Sequence, residues 1–163
     1  MVVADIDCAA LAKAKAAGIE TRIVAPFESR DEFTSRILKA TGQVDALVLA
    51  GFMRILGPEA IALFPNRIVN IHPSLLPAFS GLDPVAKALA AGVKLTGVTV
   101  HFVDEEVDHG PIIAQQAVPV LSGDDEARLH ERIQIEEHDL YPRVVAALLA
   151  HQLTVEGRTV RWG

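Results

Sequence analysis

The order of short apolar runs along this chain most narrows its fold. Thr21–Ala25, Ala46–Gly51 and Arg67–Ile71 each have the length and apolar content of a strand. Between them, Arg30–Ala40 and Pro58–Leu63 keep helical spacing, the first with Phe33, Ile37 and Leu38 on one side. Strands separated by helices of this length specify layered α/β architecture. Before them, Met1–Ala4 reads as the end of a strand. Asp5 or Asp7 is placed to cap a helix over Cys8–Ala17 that ends at Gly18. Ala46–Gly51 is apolar throughout, the pattern of a central parallel strand.

Farther on, Asp83 or Pro84 opens a helix through Ala91, and Leu95–Val103 pairs with Ile112–Val118 as a hairpin. Asp124–Gln152 is mostly helical, with Pro142 expected to bend or divide it. Leu153–Val160 reads as two short strands around Glu156-Gly157. There is no internal repeat or low-complexity linker, so residues 1–163 are expected to form a single domain.

Composition bounds the partners. Hydrophobic residues make up 50% and aromatics only 5%, so the core must be mainly Ala, Val, Leu and Ile. The formal charge of −6, with acidic stretches at 104–108 and 124–126, argues against a nucleic-acid surface. A single cysteine, Cys8, cannot form an intrachain disulfide, which favours a reducing cytoplasm. No apolar run approaches the roughly 18 residues of a membrane span.

In such sheets the functional loops follow the carboxyl ends of strands, here 51–56, 70–81 and 103–110. Asn70 and His72 are two apart and face the same way on a strand. An amide and an imidazole so placed can stabilise an anionic oxygen or pass a proton. Equally, His72 can be a satisfied strand-end histidine and Asn70 a backbone partner. Asp108 lies in His101-Phe-Val-Asp-Glu-Glu-Val-Asp-His-Gly-Pro, and close to His72 it would favour the imidazolium. Ser74 has no nucleophile-elbow glycines around it and reads as a loop-stabilising hydroxyl. His101, His109 and their acidic neighbours match no metal-ligand pattern, so no metal is expected.

Four ordered motifs carry a family resemblance. They are Gly51-Phe-Met-Arg-Ile-Leu-Gly-Pro, Asn70-Ile-His-Pro-Ser-Leu-Leu-Pro-Ala-Phe, Gly92-Val-Lys-Leu-Thr-Gly-Val-Thr-Val-His and Val107-Asp-His-Gly-Pro-Ile-Ile-Ala-Gln. Together they resemble the phosphoribosylglycinamide formyltransferases over nearly the whole chain. The resemblance implies a mostly parallel, Rossmann-like α/β sheet with flanking helices. It also implies formyl transfer from 10-formyltetrahydrofolate to the amine of glycinamide ribonucleotide in purine synthesis, without a metal. Asn70, His72 and Asp108 would be catalytic. Met53, Arg54, Ile55 and Leu56 would form one wall of the folate pocket, and Glu105, Glu106, Val107 and Asp108 the facing loop. Arg30 and Glu137 would lie near the ribonucleotide, although Glu136 beside Glu137 leaves that register open. A cytoplasmic monomer or homodimer is expected. The related formyltetrahydrofolate deformylases typically read Asn-x-His-His-Ser-Phe-Leu-Pro, where this chain has Pro73 and Leu75.

Two departures accompany the resemblance. Where family members read roughly Pro-Gly-x-His, this chain has Ser80-Gly81-Leu82-Asp83. Asp83 is then either a new charge near His72 or a helix cap beside Pro84. Family members also begin with a strand, a glycine-rich phosphate-holding loop and a helix that this sequence lacks before Met1. An N-terminally incomplete sheet with a free edge is therefore expected. A deformylase or a catalytically silent folate-binding fragment remains the alternative.

Overall fold

The computed structural model describes all residues, 1–163. The chain divides into two compact units, Met1–Asp45 with Arg54–Phe64, and Ala46–Met53 with Pro65–Gly163.

The first unit holds β1 (Val2–Ala4), α1 (Ala9–Ala16), β2 (Thr21–Ile23), α2 (Arg30–Thr41) and α3 (Pro58–Leu63). β1 and β2 pair in parallel as a two-stranded sheet. Ser29 caps α2 by accepting the Glu32 N–H at 3.3 Å, and Gly42 ends the helix at φ 64°. Leu11, Phe33 and Ala60 are its most buried apolar side chains. The expected cap of α1 is different from the sequence reading: Cys8, not Asp5 or Asp7, takes the N-cap position, and its side chain bonds nothing there. Asp5 is drawn instead to the Arg54 guanidinium, 3.3 Å away.

The second unit holds β3 (Leu47–Leu49), β4 (Ile68–His72), α4 (Pro84–Ala90), β5 (Leu95–Phe102), β6 (Ile112–Pro119), α5 (Glu126–Leu149), β7 (Leu153–Glu156) and β8 (Thr159–Trp162). Its six strands run in the order β3-β4-β5-β6-β8-β7. β3–β4 and β6–β8 are parallel, while β4–β5, β5–β6 and β7–β8 are antiparallel. The α/β layering is as expected, and two of the antiparallel pairs, β5–β6 and β7–β8, are hairpins, whereas β4 and β5 pair antiparallel across α4. The apolar β3 is an edge strand of this sheet rather than a central one, with Val48 46% exposed. A uniformly apolar run is ambiguous because periodicity cannot say how many neighbours a strand has.

α5 buries Leu129, Ile133, Leu140, Val144 and Leu148 against Val69, Val98, Val100 and Phe102 of β4 and β5. Those helix positions recur at spacings of four and seven, one continuous stripe. Asp125 caps its start by accepting the Arg128 N–H at 2.8 Å. Pro142 does not divide α5, which runs unbroken for 24 residues. Buried Leu140 and Val144 flank the proline, and their packing offsets the one missing backbone bond. No helix is long and apolar enough to cross a membrane.

Candidate active site

Antiparallel pairing sets Asn70 of β4 opposite His101 of β5, and His72 opposite Thr99. Side chains directly opposite in a sheet share a face. The intervening Val69, Val100 and Phe102 therefore turn to the α5 side, leaving a polar row on the other face. A bulge in the β5–β6 register falls between Val100 and His101, where such irregularities re-aim a side chain.

The loop after His72 is held from below. Thr99 donates to the Ser74 carbonyl at 2.7 Å and accepts the Leu76 N–H at 3.0 Å. Gln115 donates to the Leu76 carbonyl and to Thr99, both at 2.9 Å. Ser74 is fully buried and its hydroxyl donates to the Ala78 carbonyl at 2.6 Å. It is a loop-holding group, spent on backbone rather than poised as a nucleophile.

This loop then delivers backbone groups to the polar row. The Phe79 carbonyl lies 3.0 Å from Nε2 of His72, and the Gly81 N–H donates to Oδ2 of Asp108 at 2.7 Å. The same Oδ2 is 3.4 Å from Nδ1 of His72. Both ring nitrogens of His72 thus have oxygen neighbours, the Phe79 carbonyl at hydrogen-bond distance from Nε2 and the Asp108 carboxylate farther from Nδ1. Asp108 sits at φ 53°, a left-handed conformation uncommon for a residue with a side chain. His72 and Asp108 side chains are 7% and 10% exposed, so their interaction is little screened by water.

His101 completes the group, and the sequence reading did not place it there. Its Nδ1 lies 2.8 Å from the Phe102 carbonyl and must donate to it. In the neutral ring Nε2 is then an acceptor, and it faces Nδ2 of Asn70 at 3.3 Å. Burial is the main influence on His101 and lowers its pKa, against opposing contributions from the Phe102 carbonyl and Asp108. Neutral His101 therefore orients the Asn70 amide, taking one of its two N–H donors and leaving the other for a ligand. The available signal was the alternation Thr99-Val-His101 in a valine-rich strand, which assigns His101 to the same face as Asn70 once the register is known.

Burial raises the pKa of Glu137, on α5, against opposing contributions from His130, His138 and, least, His72. Glu105, Glu106 and Val107 are exposed on the loop before Asp108. Asp83 occupies the N-cap position of α4, but its side chain caps nothing and its backbone is left-handed, at φ 53°. The expected capping role is thus not realised, because this backbone geometry is not the extended one from which a cap side chain reaches the first turn. Nor is Asp83 the partner of His72, whose neighbours are Asp108 and the Phe79 carbonyl.

Met53 is 72% exposed, which excludes a core-filling role. In the first unit, Ile55 is half exposed and Leu56 is buried. Arg54 pairs with Asp5 and lies over the Phe33 ring, 5.3 Å from its centre. Arg30 is exposed and 3.4 Å from Asp31.

A family model described as formyl transferase matches residues 1–145. The chain belongs to the formyl transferase family. The phosphoribosylglycinamide formyltransferase of Mycobacterium tuberculosis H37Rv is 51% identical over 163 residues, covering 98% of this chain and 76% of that protein. Among solved structures, glycinamide ribonucleotide transformylase 1 from Symbiobacterium toebii is 46% identical with a TM-score of 0.93. That match covers 99% of this formyl transferase chain and 79% of the other. A formyltetrahydrofolate deformylase from Pseudomonas syringae pv. tomato is 30% identical with a TM-score of 0.87, covering 93% of this chain and 52% of that one.

Proposed function

We propose that this chain transfers a formyl group from 10-formyltetrahydrofolate to the primary amine of glycinamide ribonucleotide, a step of purine biosynthesis in the cytoplasm. The observation that carries the reading is the polar face of β4–β5, where an oriented Asn70 amide and the His72 ring adjoin a nearly buried Asp108. The relatives named above supply the acceptor, and Pro73 and Leu75 favour transfer to an amine over transfer to water.

The chemistry follows from those groups. The amine nitrogen bonds to the formyl carbon, and negative charge gathers on the formyl oxygen. The free N–H of Asn70 and the His72 imidazolium are the donors for that oxygen. The bond from the formyl carbon to the folate nitrogen then breaks. Asp108, through water, takes a proton from the attacking amine, and the departing nitrogen receives one. His72 Nε2 is engaged by the Phe79 carbonyl, so that loop carbonyl has to withdraw before the ring can serve the substrate. Met53, Arg54, Ile55 and Leu56, with Glu105, Glu106 and Val107, are the residues assigned to folate. Arg30 and Glu137 are assigned to the ribonucleotide.

The deciding measurement is formyl transfer by the purified chain with glycinamide ribonucleotide or water as acceptor. Consumption of 10-formyltetrahydrofolate should depend on the ribonucleotide, and His72→Ala should remove at least 99% of the rate, on the order of 3 kcal/mol. Formate release independent of the ribonucleotide would establish the deformylase reading instead.

A further inference from the structure

We propose that Arg158, at the tip of the β7–β8 hairpin, is a positioning residue for the loop that carries Asp108. β8 runs parallel to β6 with Thr159 opposite Ile112, which brings the hairpin tip to the segment just before β6. There the guanidinium engages a single residue twice. Nη2 donates to the His109 carbonyl at 2.6 Å, and Nη1 lies 3.1 Å from Nε2 and 3.4 Å from Nδ1 of the His109 ring.

The ring in turn contacts Asp104, with Nδ1 2.9 Å from Oδ2. Arginine has donors only and the Asp104 carboxylate only acceptors, so a ring with its proton on Nδ1 and a lone pair on the nearer Nε2 suits both partners. One directional chain results, from Arg158 through His109 to Asp104. Asp104 closes the loop on itself, because its other oxygen accepts the Glu106 N–H at 3.1 Å. At the base, the Phe102 carbonyl lies against Gly110 and leaves no room for a side chain there. Every fixed point of residues 104–110 thus surrounds Asp108, the one residue held at positive φ.

A left-handed non-glycine residue persists when its surroundings over-determine it. Arg158 supplies one constraint from outside the loop, beside the Gly81 N–H that holds the Asp108 carboxylate itself. It touches neither His72 nor any reacting atom, so its effect passes through the placement of the Asp108 carboxylate between the Gly81 N–H and His72. A misplacement on the order of 1 Å at such a group costs up to about 100-fold in rate.

The kinetic part rests on the formyl-transfer reading, whereas the spectroscopic part does not. Arg158→Ala, Arg158→Lys and, as an exposed-arginine control, Arg143→Ala are compared with the unsubstituted chain by steady-state kinetics, thermal melting and 15N NMR. Arg158→Ala should lower kcat about tenfold while KM for the ribonucleotide and Tm stay near the parent values. The His109 Nε2 resonance, which loses its guanidinium neighbour, and the Asp108 amide resonance should both move. Arg158→Lys should recover part of kcat through the carbonyl bond alone, and Arg143→Ala should change nothing. Parent-like kcat and unchanged Asp108 and His109 resonances in Arg158→Ala would overturn the proposal. If the parent chain itself transfers no formyl group, the functional reading fails, and the resonances alone still decide whether Arg158 holds the loop.

Discussion

The two faces of the β4–β5 strand pair are made from alternate residues of the same ten or so positions, yet they are held by different physics. On the α5 face, Val69, Val98, Val100 and Phe102 are nearly inaccessible and interlock with helix side chains. On the other, His72, Thr99 and His101 are almost as buried and Asn70 is half-buried, but they are bonded to carbonyls, amides and a carboxylate. Apolar packing tolerates exchange at roughly constant volume. A buried polar row does not, because each group removed leaves a partner unsatisfied. The first face should therefore govern stability and the second turnover.

The strongest test of that division is Phe102→Ala. Loss of this buried ring should destabilise the chain by about 3–5 kcal/mol, read from denaturant unfolding, and a loss under 1 kcal/mol would mean the α5 face is not the stabilising one. Next in size is Asn70→Ala. It removes the amide donor and should reduce kcat by a factor equivalent to ~3 kcal/mol, with a much smaller change in Tm. Comparable losses of stability and activity would erase the distinction between the faces.

A smaller effect sharpens the comparison through pH. Burial lowers the pKa of His101 in the folded chain, so the unfolded chain binds more protons once pH falls below about 6.5. Stability should accordingly decline from about pH 6.5 downward until the folded-state pKa is passed, by at most about 1.4 kcal/mol per pH unit for one proton. In His101→Gln that component should vanish from the pH dependence of unfolding free energy. An unchanged slope would assign the acid sensitivity to other groups.

The legibility of this site in the sequence was uneven for a physical reason. Period-two alternation assigned Asn70 and His72 to one face, and motif order pointed to Asp108. His101 was read only as a rejected metal ligand, because its partnership with Asn70 is a cross-strand register between residues 31 apart. The roles of Phe79 and Gly81 were equally hidden, since they act through backbone atoms that carry no side-chain signature. Asp83 shows the converse error. A residue with good capping chemistry does not cap when its own backbone is left-handed.

By itself, then, the sequence determined the strand and helix alternation, the buried stripe of α5, the polar pair on β4 and membership of a folate-linked family. These depend on local periodicity and on ordered motifs, both of which are written along one dimension. The edge position of β3, the orientation of the Asn70 amide, the Phe79 carbonyl on His72 and the grip of Arg158 on His109 were decided only in the tertiary structure. Each depends on which strands become neighbours and in what register. Those quantities are set by the packing of the whole sheet and have no local signature.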